Sequence, residues 1–226
     1  LLHSNFEITT LSFSREEFKR RFETHQILFH RIGDLRETPD IIVFPENGRF
    51  LSMLSEARIL GSLYKEIKSV ETIIVDSTRA EEKQGTKGEI WYFNPSRNIL
   101  EVQEKRFLIP FGEYLPFYYS AILKRFNKEK LADIIQNRNY SAGEEIGAPV
   151  AQGSARIGAL ACSEILSPSL YSDSTLAGAN VLVNLSSHGV FHYSKIMHYQ
   201  ALNMAKVRAV ENNRYFLRAA NLSPAF

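Results

Sequence analysis

The reading of this chain turns on one stretch, Ala155-Arg-Ile-Gly-Ala-Leu-Ala-Cys-Ser-Glu-Ile165. Its first seven residues alternate small and branched apolar side chains, the pattern of a buried strand. The strand stops at Cys162, the only cysteine of the sequence, with Glu164 two residues on. Glu164 to Leu170 then reads as an irregular or helical segment interrupted by Pro168. A further buried-type strand follows at Asn180-Val-Leu-Val-Asn184, then a helix from about Tyr193 to Asn213, then a strand from Tyr215 to Ala220. Strands alternating with helices indicate a layered α/β fold. A strand that ends at a thiol and turns sharply presents the nucleophile and the next backbone N–H groups at one point, which suits attack and oxyanion stabilisation together. The plain alternative is that a lone cysteine behind an apolar run is a small core residue.

The same alternation runs through the first half. Ser14 followed by Glu17 fits a capping box, opening a helix from about Arg15 to Leu35 with Phe18, Phe22, Ile27, Leu28 and Ile32 at helical spacing. Asp40-Ile-Ile-Val-Phe44 is a short strand ending at Pro45-Glu46, and Thr72-Ile-Ile-Val-Asp76 repeats the pattern after a helix expected over Leu51 to Ser69. Glu89–Phe93 and Ile99–Gln103 flank a turn-rich loop and read as an antiparallel hairpin, which makes the sheet mixed. The charged, glycine-containing stretch Ala80 to Gly88 reads as an exposed loop. Short helices are expected within Tyr118–Phe126 and Lys130–Ile135, and Tyr140 to Gly153 reads as loop with one short strand.

Composition bounds the function. The 226 residues suit one domain spanning 1–226, and both ends read as cut from a longer protein. With 27 Lys and Arg against 25 Asp and Glu, the net charge is +2, too balanced for nucleic acid as the main partner. One cysteine excludes an internal disulfide. No apolar run approaches the roughly 20 residues of a membrane helix, so the fragment itself is expected to be soluble. The six histidines show no ligand spacing; no metal and no cofactor are expected, and His188, His192 and His198 read as surface or loop residues.

Glu46, Lys105 and Cys162 each stand at a strand end. Acyl transfer through a thioester needs these three types: a nucleophilic thiol, a carboxylate to take its proton, and a fixed cation for the negative oxygen of the tetrahedral intermediate. Singly, Glu46 is also readable as a surface turn residue, Lys105 as a solvated lysine and Cys162 as core.

In order and surroundings these residues resemble the nitrilase, or carbon-nitrogen hydrolase, superfamily. Within it, Lys105-Arg-Phe-Leu-Ile-Pro-Phe-Gly-Glu-Tyr-Leu-Pro116 is similar to the signature of the apolipoprotein N-acyltransferases, as are Gln200 to Arg214 and Arg218-Ala-Ala-Asn221. The resemblance implies an α-β-β-α sandwich with mixed sheets, with Glu46 as general base, Lys105 as stabiliser of the intermediate and Cys162 as nucleophile. Glu113, Glu164 and Ser163 form a supporting set. Glu113 either orients Lys105 or the incoming amine or caps a loop, and Glu164 either tunes the thiol or holds a turn. The implied reaction is ping-pong: a phospholipid acyl donor forms a thioester on Cys162, and the N-terminal amine of a diacylglyceryl-cysteine lipoprotein accepts the chain. The implied place is the periplasmic side of a bacterial inner membrane, with the membrane surface as a partner, and Phe107, Phe111, Tyr114, Leu115, Phe117, Tyr118 and Tyr119 either line a lipid entrance or belong to the core. A soluble amidase with the same triad and an inactive nitrilase-like binding module are the alternatives. The sequence departs from the family at Ser163, where tyrosine is common, and at Ser186-Ser-His-Gly-Val-Phe191, where the family has Ser-Asn-Asp-x-Trp-Phe.

Overall fold

The computed structural model of the chain describes residues 15–35, 37–46, 48–52, 71–82, 85–137, 139–191 and 194–221. In chain order the elements are α1 (Arg15–Gly33), β1 (Ile41–Val43), β2 (Ile73–Glu82), β3 (Gly85–Asn94), β4 (Asn98–Glu104), α2 (Phe117–Phe126), α3 (Lys128–Asn137), β5 (Val150–Gln152), β6 (Ala155–Ala161), α4 (Pro168–Leu176), β7 (Val181–Ser187), α5 (Lys195–Asn212) and β8 (Tyr215–Asn221). The helix expected over Leu51 to Ser69 lies almost wholly outside the described residues, as do the first strand and Ser14.

The strands form two mixed sheets of four, ordered β1-β2-β3-β4 and β5-β6-β7-β8. In the first, β1 is parallel to β2, while β2, β3 and β4 pair antiparallel. Strands β1, β2 and β4 therefore run in one direction, and β1 and β4 deliver the residues after them to the same end. In the second sheet β6, β7 and β8 are parallel and β5 is an antiparallel edge.

The sheets pack face to face. Ile73, Val75, Ile90 and Tyr92 of the first meet Ile157, Ala159, Ala161, Val183 and Leu185 of the second in one buried cluster. On the outer face of the first sheet, Phe29 and Ile32 of α1 pack on Ile42, Phe44, Phe50, Ile74 and Phe93. On the outer face of the second, Tyr171 of α4 packs with Leu160 and Leu182. The architecture is an α-β-β-α sandwich, and it explains the composition of β6. Ile157, Ala159 and Ala161 face the opposing sheet while Gly158 and Leu160 face α4, so the strand is apolar on both sides. At Gly158 a Cβ would lie 2.0 Å from Ser174 Oγ, so the close approach of α4 requires glycine there.

Two expectations are corrected. Ile27 is 56% exposed, and the buried stripe of α1 instead carries Arg21, His25, Leu28, Phe29 and Ile32, which keep helical spacing with polar members that an apolar count overlooks. Burial lowers the His25 imidazole to about 3, against the raising effect of its hydrogen bond to the Arg21 carbonyl. Ala80 to Gly88 is no exposed loop: β2 and β3 stay paired as far as Glu82 and Gly85, and Thr86 is buried. Charged residues are compatible with strand there because the long hairpin leaves its outer faces wet. The break expected at Pro168 is present: the helical turn Cys162–Leu166 ends before it, and Pro168 starts α4, where its missing N–H costs nothing.

A hydrogen bond joins β3 to β6 across the sandwich. Beyond Ile157, β6 has no β5 partner, and the Ala159 N–H donates to the Tyr92 hydroxyl at 2.7 Å, which in turn donates to Gln103 Oε1 at 3.1 Å. Tyr92→Phe leaves that N–H buried without an acceptor, and stability is expected to fall by about 1–3 kcal/mol. The shift of the urea midpoint at constant slope measures it; an unchanged midpoint refutes the role.

Candidate active site

Glu46 follows β1, Lys105 follows β4 and Cys162 follows β6, and the two sheets bring all three together. Lys105 is nearly completely buried, and its Nζ donates to Glu46 Oε1 at 3.1 Å and to Glu113 Oε1 at 2.6 Å. The second oxygen of Glu113 accepts from the Ile109 N–H at 2.9 Å. Glu113 thus bonds Lys105 through one oxygen and the backbone of the Lys105–Pro116 loop through the other. An ammonium group in so dry a place is stable only when paired. Burial alone would lower the Lys105 pKa, but the charges of Glu46 and Glu113 outweigh it and raise it, so the group stays an ammonium.

Cys162 sits at φ +37°, a left-handed conformation that costs a residue with a Cβ about 1 kcal/mol or more. The turn it opens, Cys162–Leu166, is a tight helical one. Burial, and next the charge of Glu46, push the thiol up to about 12 against the lowering effect of Lys105. The resting group is therefore a neutral thiol facing a carboxylate, with Ser187 O 3.9 Å from its sulfur.

Glu164 holds the strain. Its Oε2 accepts from the Ala161 N–H at 2.6 Å, and its Oε1 accepts from the Arg106 and Phe107 N–H groups at 2.8 and 3.3 Å. One buried carboxylate thereby ties the nucleophile turn to the exit of β4 that carries Lys105. Ser163 adds to this tie by donating to the Phe107 carbonyl at 3.0 Å. Its side chain is buried in the protein, which accounts for a small residue at that place.

Sequence reasoning missed a polar network beneath the turn. Asn184 Nδ2 donates to the carbonyls of Leu160 and Cys162 at 3.3 and 3.4 Å and lies 3.1 Å from the Tyr171 hydroxyl. Ser186 donates to Asn184 Oδ1 at 2.5 Å and accepts from Arg218 Nε at 3.3 Å, while Arg218 Nη2 donates to His188 Nε2 at 2.6 Å. Placing His188 on the surface is corrected here: it is buried. The available signal was an arginine inside the apolar strand Tyr215-Phe-Leu-Arg-Ala-Ala220. His198 is half-buried, and His192 lies outside the described residues.

The cleft beside these groups, with about 330 Å³ of empty space, is lined by Glu46, Arg79, Glu89, Lys105, Glu113 and Tyr140 among others. In the chain that follows Lys105, Phe107, Phe111, Phe117 and Tyr118 are exposed, Phe117 by 85%, whereas Tyr114, Leu115 and Tyr119 are half-buried. The four exposed members are not core.

A family model described as carbon-nitrogen hydrolase matches residues 17–224. The chain belongs to the carbon-nitrogen hydrolase family. It is 31% identical over 186 residues to an apolipoprotein N-acyltransferase of Geobacter metallireducens, a match covering 80% of this chain and 34% of that protein. The chain thus spans about a third of that relative's length. Among solved structures it is similar to a carbon-nitrogen hydrolase from Helicobacter pylori G27, with a TM-score of 0.64 and 14% identity over 90% of this chain and 68% of that one. It is also similar to an amidase from Nesterenkonia sp. AN1 that carries the acetamide moiety of fluoroacetamide covalently at its active site cysteine, with a TM-score of 0.61 and 13% identity over 97% of this chain and 73% of that one. These two likenesses bear on the fold of this nitrilase-superfamily chain.

Two outcomes follow from the geometry. Glu164→Gln turns one of the two acceptor oxygens into a donor facing a backbone donor, so stability should drop by about 2 kcal/mol in urea unfolding; wild-type stability would refute the tie. His188 is held at about 4, first by burial and then by Arg218, so its neutral form stabilises the fold above pH ~6.5 and that contribution is lost as pH falls toward 4. His188→Asn should flatten the fall of the unfolding midpoint over that window, and an unchanged profile would count against the pairing.

Proposed function

We propose that this domain transfers an acyl chain from a phospholipid, through a thioester on Cys162, to the N-terminal amine of a diacylglyceryl-cysteine lipoprotein. The observation that carries the reading is a half-buried thiol, a carboxylate and a doubly paired ammonium at the strand ends, together with an exposed aromatic face on α2, the helix that follows the Lys105–Pro116 loop. A water-soluble amide substrate gives Phe117, Tyr118, Ile122 and Phe126 no reason to face solvent together, whereas an acyl chain or a bilayer does. Lys124 and Arg125 on the same helix suit anionic headgroups. The similarity to the Geobacter apolipoprotein N-acyltransferase supports acyl transfer to a lipoprotein amine, and we place the reaction at the periplasmic face of the inner membrane.

In the first half-reaction Cys162 Sγ attacks the ester carbonyl carbon as Glu46 takes the thiol proton. A thiol at about 12 needs this, because at neutral pH almost none is ionised beforehand. Lys105 stabilises the negative oxygen of the tetrahedral intermediate. As the intermediate collapses, the C–O bond breaks and Glu46 returns the proton to the departing lysophospholipid. In the second half the acceptor amine attacks the thioester carbon, Glu46 takes the amine proton, and the thiolate leaves and is reprotonated. Glu113 keeps Lys105 in place through both halves. Water is kept from the thioester by the dry packing around it.

Full-length protein incubated with phosphatidylethanolamine vesicles should show an acyl adduct on Cys162 by mass spectrometry, and Cys162→Ala should show none. Glu46→Gln should slow adduct formation about 100-fold or more. Absence of the adduct where a known N-acyltransferase labels, or hydrolysis of simple amides in its place, would overturn the proposal.

A further inference from the structure

Asp76 lies in the middle of β2, away from the cleft, and is almost wholly buried. Nothing in the chemistry above uses it. A carboxylate withdrawn from water is costly unless several donors meet it. Here Oδ2 accepts from the Leu51 N–H at 2.7 Å, and the nearby Phe50 and Ser77 N–H groups favour the charged form without closing a hydrogen bond on Oδ1. Burial still pushes this carboxyl up to about 7, despite these donors and the charge of Arg21.

The donor that closes the hydrogen bond, the Leu51 N–H, belongs to the segment that carries Glu46. The chain from Phe44 to Leu51 is pinned to three consecutive residues of β2: the Phe44 N–H donates to Val75 O at 2.8 Å, Leu51 N–H to Asp76, and Arg49 N–H to Ser77 O at 3.1 Å. Between these pins the Gly48 N–H closes a tight turn on Pro45 O at 3.0 Å, and Arg49 has a φ of +49°. A Cβ at Gly48 would lie 2.9 Å from Asp76 Oδ1 and 3.0 Å from Pro45 O, so the turn fits directly against the carboxylate. Glu46 stands at the bend of that turn. Asp76 is the only one of the three pins made by a side chain, and hence the only one that depends on residue type.

We infer that Asp76 is a positioning residue for the Glu46 turn: it grips the backbone after Glu46 from within the sheet and so sets the carboxylate against Cys162 and Lys105. This rests on Glu46 acting as the base of Cys162. A cap that serves stability alone would lower the unfolding midpoint and leave thiol chemistry untouched; positioning makes the two carboxylates non-additive.

The test is the rate of Cys162 alkylation by iodoacetamide at pH 7.5 in the full-length protein, which needs no lipid. Wild type, Asp76→Asn, Glu46→Gln and the double variant are compared, with far-UV circular dichroism confirming folding. Asp76→Asn should slow alkylation about tenfold or more, and the double variant should be no slower than Glu46→Gln alone. Where Asp76→Asn does not fold, Gly48→Ala takes its place, with the same expected loss and the same disappearance in the Glu46→Gln background. Wild-type alkylation in Asp76→Asn, or a loss that persists undiminished beside Glu46→Gln, overturns the positioning role. Wild-type alkylation in Glu46→Gln instead overturns the base on which it rests, whatever Asp76 does.

Discussion

A buried ammonium between two carboxylates is the constraint around which the rest is arranged. Lys105 has almost no contact with water, so Glu46 and Glu113 must both be held within hydrogen-bonding range of its Nζ. Removing either leaves a buried cation partly uncompensated, and that is costly in a way that loss of a surface pair is not. The requirement explains why Glu113 is itself anchored by the Ile109 N–H, and why Glu46 lies on a turn fastened along β2. Electrostatics and backbone geometry serve each other here: the charges fix the side chains, and the strand ends fix the charges.

The nucleophile imposes the opposite kind of constraint. Cys162 is in an unfavourable backbone conformation and its thiol is in an environment that resists ionisation. Neither condition persists without support. Glu164 supplies it from one side with three backbone acceptor bonds, and Asn184 from the other by donating to the carbonyls of Leu160 and Cys162. The Ser186–Arg218–His188 chain extends that support into β7 and β8. Histidine at 188, where the family has aspartate, keeps an acceptor for Arg218 while carrying no negative charge at neutral pH. The departures at Ser163 and His188 are thus both changes to the supporting shell, and they leave Glu46, Lys105 and Cys162 in place.

Much of this was legible along the chain. Runs such as Ile73-Ile-Val75 and Ile157 to Ala161 are apolar enough to be strands buried on both faces, and the 3.6-residue spacing of α1 was visible despite the misplacement of Ile27. Less legible were features that depend on what a segment packs against. The paired stretch from Ala80 to Gly88 looks like a loop because its side chains are charged, but strand pairing is a backbone matter and tolerates charge on a wet face. Asp76 reads as the polar end of a strand, while in the fold it is a buried acceptor for a segment 25 residues earlier.

The sequence by itself determined the alternation of elements, the residue types at three strand ends and the family signature that names the chemistry, because these are local patterns or short motifs. Only the tertiary structure decided which groups share one place. Glu46 and Lys105 come from opposite edges of one sheet and Cys162 from the middle of another, and no spacing along the chain encodes their meeting. It also decided the partners: Glu164 and Ser163 bond to the Arg106–Phe107 backbone, Glu113 bonds to both Lys105 and the Ile109 N–H, and the exposed aromatics stand outside the core. The physical reason is that burial and hydrogen-bond partnership are properties of a residue's surroundings, which the fold assembles from segments far apart in sequence.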